Sequence, residues 1–149
     1  MVCRQNPDWR LNIIGDGNDR TRLESLSRKL KLRNITFAGR QDPQPFYMRA
    51  KILLLTSNHE GTPMVIQEAM SYGVVPVVMD SFSAASDMIT DGYNGLLTKA
   101  FSIKKMAKAV NDLIEDTIWW QRLSTNAQST IDAIDNNLLL SKWDKILKL

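Results

Sequence analysis

Residues 52–79 read ILLLTSNHEGTPMVIQEAMSYGVVPVVM. Four aliphatic residues in succession, Ile52–Leu55, suit a strand buried on both faces. A polar loop follows, then helical spacing over residues 63–72, with Gly73 placed to cap the helix. Residues 74–79 form a second apolar run in which Pro76 points to an edge position or an irregularity. Strand, helix and strand in this order make a βαβ unit, which requires a parallel sheet.

The alternation continues outward in both directions. Residues 1–10 resemble the end of a helix running into the strand Leu11–Ile14, which is closed by Gly15, Asp16 and Gly17. Residues 21–30 carry Leu23, Leu26 and Leu30 at helical spacing between charges. A short strand at residues 35–37 ends at Gly39, and a short helix is expected at residues 46–50. Downstream come a short helix at residues 83–89, a turn from Asp91 to Gly95, a brief strand at 96–97 and an amphipathic helix at 102–113. Residues 117–149 read as helical, with Trp119, Trp120, Ile131, Leu139, Trp143 and Ile146 as packing residues. The expected fold is α/β: a Rossmann-like parallel sheet with helices on both faces. Ligands bind such sheets beyond the carboxyl ends of the strands, which selects the loops at residues 15–18, 38–42, 56–62 and 80–86.

Composition narrows the class of function. The 149 residues are 44% hydrophobic and 23% charged, the balance of a folded domain, with a net charge of +3. No run of five or six like charges is present, so nucleic acid is not an expected partner. Cys3 is the sole cysteine, which rules out an intrachain disulfide or a cysteine-based zinc cluster and suits a reducing, cytoplasmic setting. No apolar run reaches the roughly 18–20 residues of a membrane span.

The loop at residues 56–62 carries the chemistry. Thr62 is a favoured N-cap and Pro63 a favoured first helical residue. The free N–H groups of Met64 and Val65 then point out of the helix start, where the dipole favours a phosphate. Gly61 lets backbone approach a ligand closely. Glu60 precedes the helix, and Glu68 lies roughly 7–8 Å along its axis from Pro63. The two carboxylates can therefore address different parts of one elongated ligand, each accepting hydrogen bonds from sugar hydroxyls. Glu68 sits in the apolar run MVIQEAM, where a solvated position is less expected.

From Ser57 to Pro76, SNHEGTPMVIQEAMSYGVVP resembles the E-x7-E signature of retaining glycosyltransferases of the GT-B architecture, family 4 in particular. LNIIGDG, ITFAGRQD, FYMRAKILLLTS, PVVMDS and DMITDGYNGLL follow the same family pattern in order, from about Asp8 to Leu113. The resemblance implies the C-terminal, donor-binding half of such an enzyme, residues 1–149, with residues 117–149 as its terminal helical segment. It implies that Glu68 holds the ribose, that Glu60 supports charge at the anomeric carbon, and that backbone N–H groups of Gly61, Thr62, Met64 and Val65 around Pro63 bind the diphosphate and sugar. Gly39, Arg40 and Gln41 would line the base pocket, and Ser83 could donate to a phosphate or sugar oxygen. The donor is a nucleoside-diphosphate sugar, and neither a metal nor a further cofactor is implied. The implied partners are an N-terminal acceptor domain and an acceptor glycan or lipid, with peripheral association at the inner membrane face.

Two departures stand out. The family's basic Arg/Lys pair, which clamps the diphosphate, has no counterpart here, and its first strand also lies upstream of this sequence. The family's Gly-Gly pair is replaced by Ser81–Ser86 residues, SFSAAS, and Asp87 stands where Glu is frequent. Gly15-Asp16-Gly17 is better read as a strand-exit turn than as a dinucleotide fingerprint, since Arg20 occupies the third glycine position. His59, the sole histidine, lacks a second ligand for a metal and reads as a loop residue. A non-catalytic nucleotide-binding module and half of a sugar-nucleotide 2-epimerase are the competing readings.

Overall fold

Strong aliphatic runs separated by glycine turns produce five short strands and, up to Asp132, seven helices in the computed structural model, which describes residues 1–134, 143 and 145–147. Every named strand pairing is parallel. The strands divide into two sheets, and the chain into two compact units, Met1–Ala50 and Lys51–Leu149.

The first unit runs α1 (Val2–Gln5), β1 (Leu11–Ile14), α2 (Arg20–Lys29), β2 (Ile35–Gly39) and α3 (Gln44–Tyr47). Leu11 of β1 lies opposite Ile35 of β2, and the register shifts after Ile13. Gly15 adopts φ +123° and its N–H donates to the Gly39 carbonyl at 2.7 Å, so the glycine is needed where the chain leaves β1. Asn34 fastens the entry to this sheet: its Nδ2 donates to the carbonyls of Cys3, Asn6 and Trp9. The helix expected at 46–50 starts earlier, because Pro43 occupies its N-cap and Pro45 its first turn, where proline is favoured.

The second unit runs β3 (Ile52–Leu55), α4 (Met64–Ser71), β4 (Val75–Asp80), α5 (Ala84–Met88), β5 (Leu96–Lys99), α6 (Ile103–Glu115) and α7 (Thr117–Asp132). Its sheet order is β3-β4-β5, so β4 is central. Val78 of β4 joins Ile66 and Met70 of α4, Phe82, Ala85 and Ile89 around α5, and Ala127 of α7 in one buried cluster, with Leu53, Leu55 and Leu97 against it. Val75, Val77 and Met79 alternate to the other face of the sheet and are buried too. There α6 packs on β4 and β5 and buries Met106, Ala107, Val110 and Leu113.

Pro76 is therefore not at an edge. The Val75 N–H donates to the Lys51 carbonyl on the β3 side, so the amide position of Pro76 faces β5. Pairing with β5 begins only at Val77 and Leu96, and the ladder loses no donor to the ring. Gly95 makes the room, since a Cβ there would lie 2.8 Å from the Pro76 ring and 2.9 Å from its carbonyl. Gly73, at φ +69°, ends α4 in the left-handed conformation expected of a C-terminal cap.

Trp119 and Trp120 are half-buried, and Trp120 anchors α7: its Nε1 donates to the Lys51 carbonyl at 2.9 Å and the Lys51 ammonium lies 4.8 Å from its ring. Ile131 packs against the core cluster as expected. Trp143 and Ile146 do not pack. They are 57% and 68% exposed, lying beyond the stretch of α7 whose Leu123 and Ala127 are buried. Leu139 lies outside the described residues.

Candidate functional site

The parallel sheet delivers two loops to the carboxyl ends of neighbouring strands, 56–63 after β3 and 81–83 after β4. They are tied together by Ser81, whose Oγ donates to the Ser57 carbonyl at 2.6 Å, while Phe82 is buried beneath. Ser81 was legible in sequence only as a departure from a glycine pair. Its hydroxyl makes it a link between the loops, a role that no local pattern signals.

The helix start departs from expectation in one detail. Pro63, not Thr62, is the N-cap residue of α4, and no side chain caps the helix. The proline's ψ of 88° is not helical, so the first helical residue is Met64. Ile66 N–H reaches the Pro63 carbonyl at 3.0 Å, which leaves the first-turn amides of Met64 and Val65 directed out of the helix. Both residues are exposed, as are Gly61 and Thr62. A Cβ on Gly61 would meet nothing within 4 Å, so the fold itself does not demand glycine there.

Glu60 is half-buried on the loop. Glu68 is exposed, against the expectation from its apolar neighbours in sequence. Ile66, Ala69 and Met70 form the buried stripe of α4, and at 100° per residue position 68 falls on the opposite side. It stands about 6 Å along the axis from Met64, on the face that looks away from the core. Ser83 is exposed at the start of α5, where its carbonyl accepts from Ser86 Oγ at 3.1 Å.

Gly39, Arg40 and Gln41 belong to the first unit, at the carboxyl end of β2. Gly39 has φ +73°, and a Cβ there would crowd Arg20 at 3.3 Å. Gln41 Nε2 donates to the Ala38 carbonyl at 2.7 Å and closes the loop, leaving Arg40 exposed. Arg20 itself is held by Glu24 at 2.9 Å and Asp16 at 3.4 Å, and the hydrogen bond to Glu24 leads the effects that raise its pKa. Gly15 to Gly17 thus form a strand-exit turn, with Gly17 N–H donating to Asp16 Oδ1 at 2.9 Å.

The electrostatics of the second-unit loops are one-sided. From Ile52 to Thr98 the chain has no Lys or Arg, but carries Glu60, Glu68, Asp80, Asp87 and Asp91. Helix-start amides are thus the local electropositive groups this stretch offers an anion. A shallow open depression of about 650 Å³ near the α6–α7 junction contains none of the predicted site residues; lined in part by Asp112, Glu115 and Asp116, it would repel a diphosphate.

The family model described as glycosyl transferases group 1 matches residues 1–130. The chain belongs to this glycosyltransferase family. A lipopolysaccharide 1,6-galactosyltransferase of Salmonella typhimurium is 35% identical over 126 residues, covering 80% of this chain and 35% of the relative. Among solved structures, the lipopolysaccharide outer core galactosyltransferase WaaB matches with a TM-score of 0.77 and 31% identity, over 95% of this chain and 41% of that one. A mutant of S. aureus TarM, in a complex that includes UDP, matches with a TM-score of 0.88 and 25% identity, over 95% of this chain and 29% of that one. The chain therefore spans less than half the length of these glycosyltransferases. Its α/β fold with parallel sheets is that of GT-B enzymes. Among the described residues, no helix is long and apolar enough to cross a membrane.

Proposed function

We propose that this chain is the C-terminal, donor-binding domain of a retaining glycosyltransferase that uses a nucleoside-diphosphate sugar. The observation that carries the reading is the α4 start: outward amides at Met64 and Val65, Glu60 before them, and Glu68 on the exposed face one turn further. Glu68 accepts from the ribose hydroxyls. Glu60 orients the donor sugar and stabilises positive charge as its bond to the leaving phosphate breaks. Gly61 and Thr62 let the diphosphate approach the amides, Pro63 fixes the turn, and Ser83 donates to a phosphate or sugar oxygen. Gly39, Arg40 and Gln41 line the pocket for the base.

The stretch without Lys or Arg from Ile52 to Thr98 supports a further element of the proposal. On this reading the basic pair that clamps the diphosphate follows the first strand of this donor-binding domain and the acceptor site belongs to an N-terminal domain, neither of them within these 149 residues. Transfer to a glycan or lipid acceptor, in polysaccharide or glycolipid assembly at the cytoplasmic membrane face, then requires both domains, while this chain alone grips the donor. No metal or further cofactor enters the scheme. The lipopolysaccharide transferases among its relatives support this class of acceptor.

Calorimetry with UDP, GDP and ADP tests the donor grip, with UDP first because the TarM complex contains it. One nucleotide is expected to bind weakly, and Glu68→Ala to weaken it about tenfold or more, the value of hydrogen bonds to a charged acceptor. Unchanged affinity in that variant removes the ribose role, and no binding of any nucleotide overturns the donor reading.

A further inference from the structure

Helix α6 carries its charges the wrong way round for a lone helix. Lys104 and Lys105 stand in its first turn, where the dipole disfavours cations, and Asp112 and Glu115 stand in its last, where it disfavours anions. No acidic residue in the first turn and no basic residue in the last offsets them. Among the described residues, Lys104, Lys105 and Glu115 form no ion pair, and all three are exposed. Met106, Ala107, Val110 and Leu113 turn the other side of the helix into the core. At about 100° per residue, Lys104, Lys108 and Glu115 therefore lie within about 40° of one another on the outer face.

The two ends of α6 also differ in shape. At its start Ile103 is 71% exposed, and Phe101, held at φ +58° just before the helix, is 68% exposed. At its end the depression of about 650 Å³ is lined by Asp112, Glu115 and Asp116 together with Trp119 and Ile118, the last of which is 84% exposed. A protruding apolar pair beside cations thus stands at one end, and an acidic hollow with apolar side chains at the other. Complementary ends on a single molecule are what an isologous, two-fold contact requires.

We propose that the outer face of α6 is the interface of a homodimer, its occupant a second copy of this chain packed antiparallel. With the two-fold axis crossing between Ala109 and Val110, Lys104 of one copy faces Glu115 of the other, about 8 Å to either side of the axis. Phe101 and Ile103 of each copy reach the other's depression, against Ile118 and Trp119. A parallel arrangement would set lysine against lysine and glutamate against glutamate, so charge fixes the direction. The helix face measures about 20 Å by 10 Å, which with its flanking side chains places the contact at the small end of protein interfaces. The dimer is therefore weak, with a dissociation constant on the order of 10–100 µM. The inference uses no residue of the donor site, so it stands or falls separately from the proposed function.

Sedimentation equilibrium of the chain from about 10 to about 500 µM tests it. The average mass should rise from monomer towards dimer in about 0.05 M NaCl, and the dimer should weaken as NaCl reaches about 0.5 M. Lys104→Glu or Glu115→Lys turns both symmetry-related ion pairs into repulsions and should weaken the dimer about tenfold or more. Mixing these two variants should restore association, because each offers the charge the other lacks. Ile118→Ser should weaken the dimer about tenfold, since the contact buries this side chain twice. Lys29→Glu, on α2, changes net charge as much as Lys104→Glu does and should leave association unchanged. Far-UV circular dichroism establishes that each variant is folded. A monomer at every concentration, a dimer indifferent to Lys104→Glu and Glu115→Lys, or no recovery when those variants are mixed overturns the proposal.

Discussion

The two parallel sheets start from similar aliphatic strands and end with different interiors. Among the described residues of the first unit, Tyr47 alone is buried. Helix α2 buries nothing, and Leu23, Leu26 and Leu30 remain 38%, 49% and 38% exposed. In the second unit five of the six residues of β4 are buried, and α4, α5, α6 and α7 all pack against that strand. Strand hydrophobicity is thus not what separates the sheets. A third strand and helices on both faces turn one set of aliphatic side chains into a core, while the two-stranded sheet keeps its apolar side chains half-covered. Where the apolar core is thin, polar links hold the chain: the three bonds of Asn34, and Arg20 with Glu24 and Asp16.

The largest test of this contrast is a matched pair of truncations. Ile66 is fully buried in the second unit, so Ile66→Ala should destabilise by about 3 kcal/mol through lost burial and a residual cavity. Leu26→Ala, on the exposed face of α2, should cost less than about 1 kcal/mol, and helix propensity would soften even that. Urea unfolding of both variants measures the difference. Equal losses would mean that α2 is covered in solution and that the two interiors are alike.

A smaller effect should come from Asn34. Its side-chain amide serves three carbonyls around α1 and β1, so Asn34→Ala strands half-buried acceptors and should cost about 2 kcal/mol. The damage should be local. Hydrogen exchange should accelerate around residues 2–14 and stay unchanged in β4, because the second unit takes no support from this link. Acceleration spread evenly over both units would erase the distinction between a sheet held by polar ties and one held by packing.

The elements themselves were open to reading because aliphatic runs are punctuated by glycines with a reason to be there. Gly15, Gly39 and Gly73 adopt positive φ at the ends of β1, β2 and α4, and Gly92 does so in the turn before β5. What escaped the sequence depends on partners far along the chain. Division into two sheets is a matter of which strands pair, and the central place of Pro76 depends on where β5 begins and on Gly95 facing the ring. At the site, the order of Glu60, Gly61 and Glu68 was legible, while the exposure of Glu68 required knowing which side of α4 meets the sheet. Thr62 and Pro63 differ from expectation by a single residue, because one backbone angle decides which of them caps the helix. Ser81 was invisible as a tie between loops, since Ser57 lies 24 residues away.

Gly61 gives the smallest expected stability change and separates fold from site most cleanly. Gly73 is required by its own protein: its φ is +69° and a Cβ would lie 2.9 Å from Ser124 Oγ. Gly61 has neither constraint, with open space where a Cβ would go. Gly61→Ala should therefore leave stability unchanged or raise it by about 0.5 kcal/mol, by restricting the unfolded chain. If the loop closes on a diphosphate, the same methyl group should push the ligand from the amides of Met64 and Val65, so nucleotide affinity should fall while the melting temperature holds. Thermal unfolding and calorimetry on one preparation give both numbers. Loss of stability would show that the fold, rather than a ligand, needs glycine at position 61, and unchanged affinity would remove this residue from the donor grip.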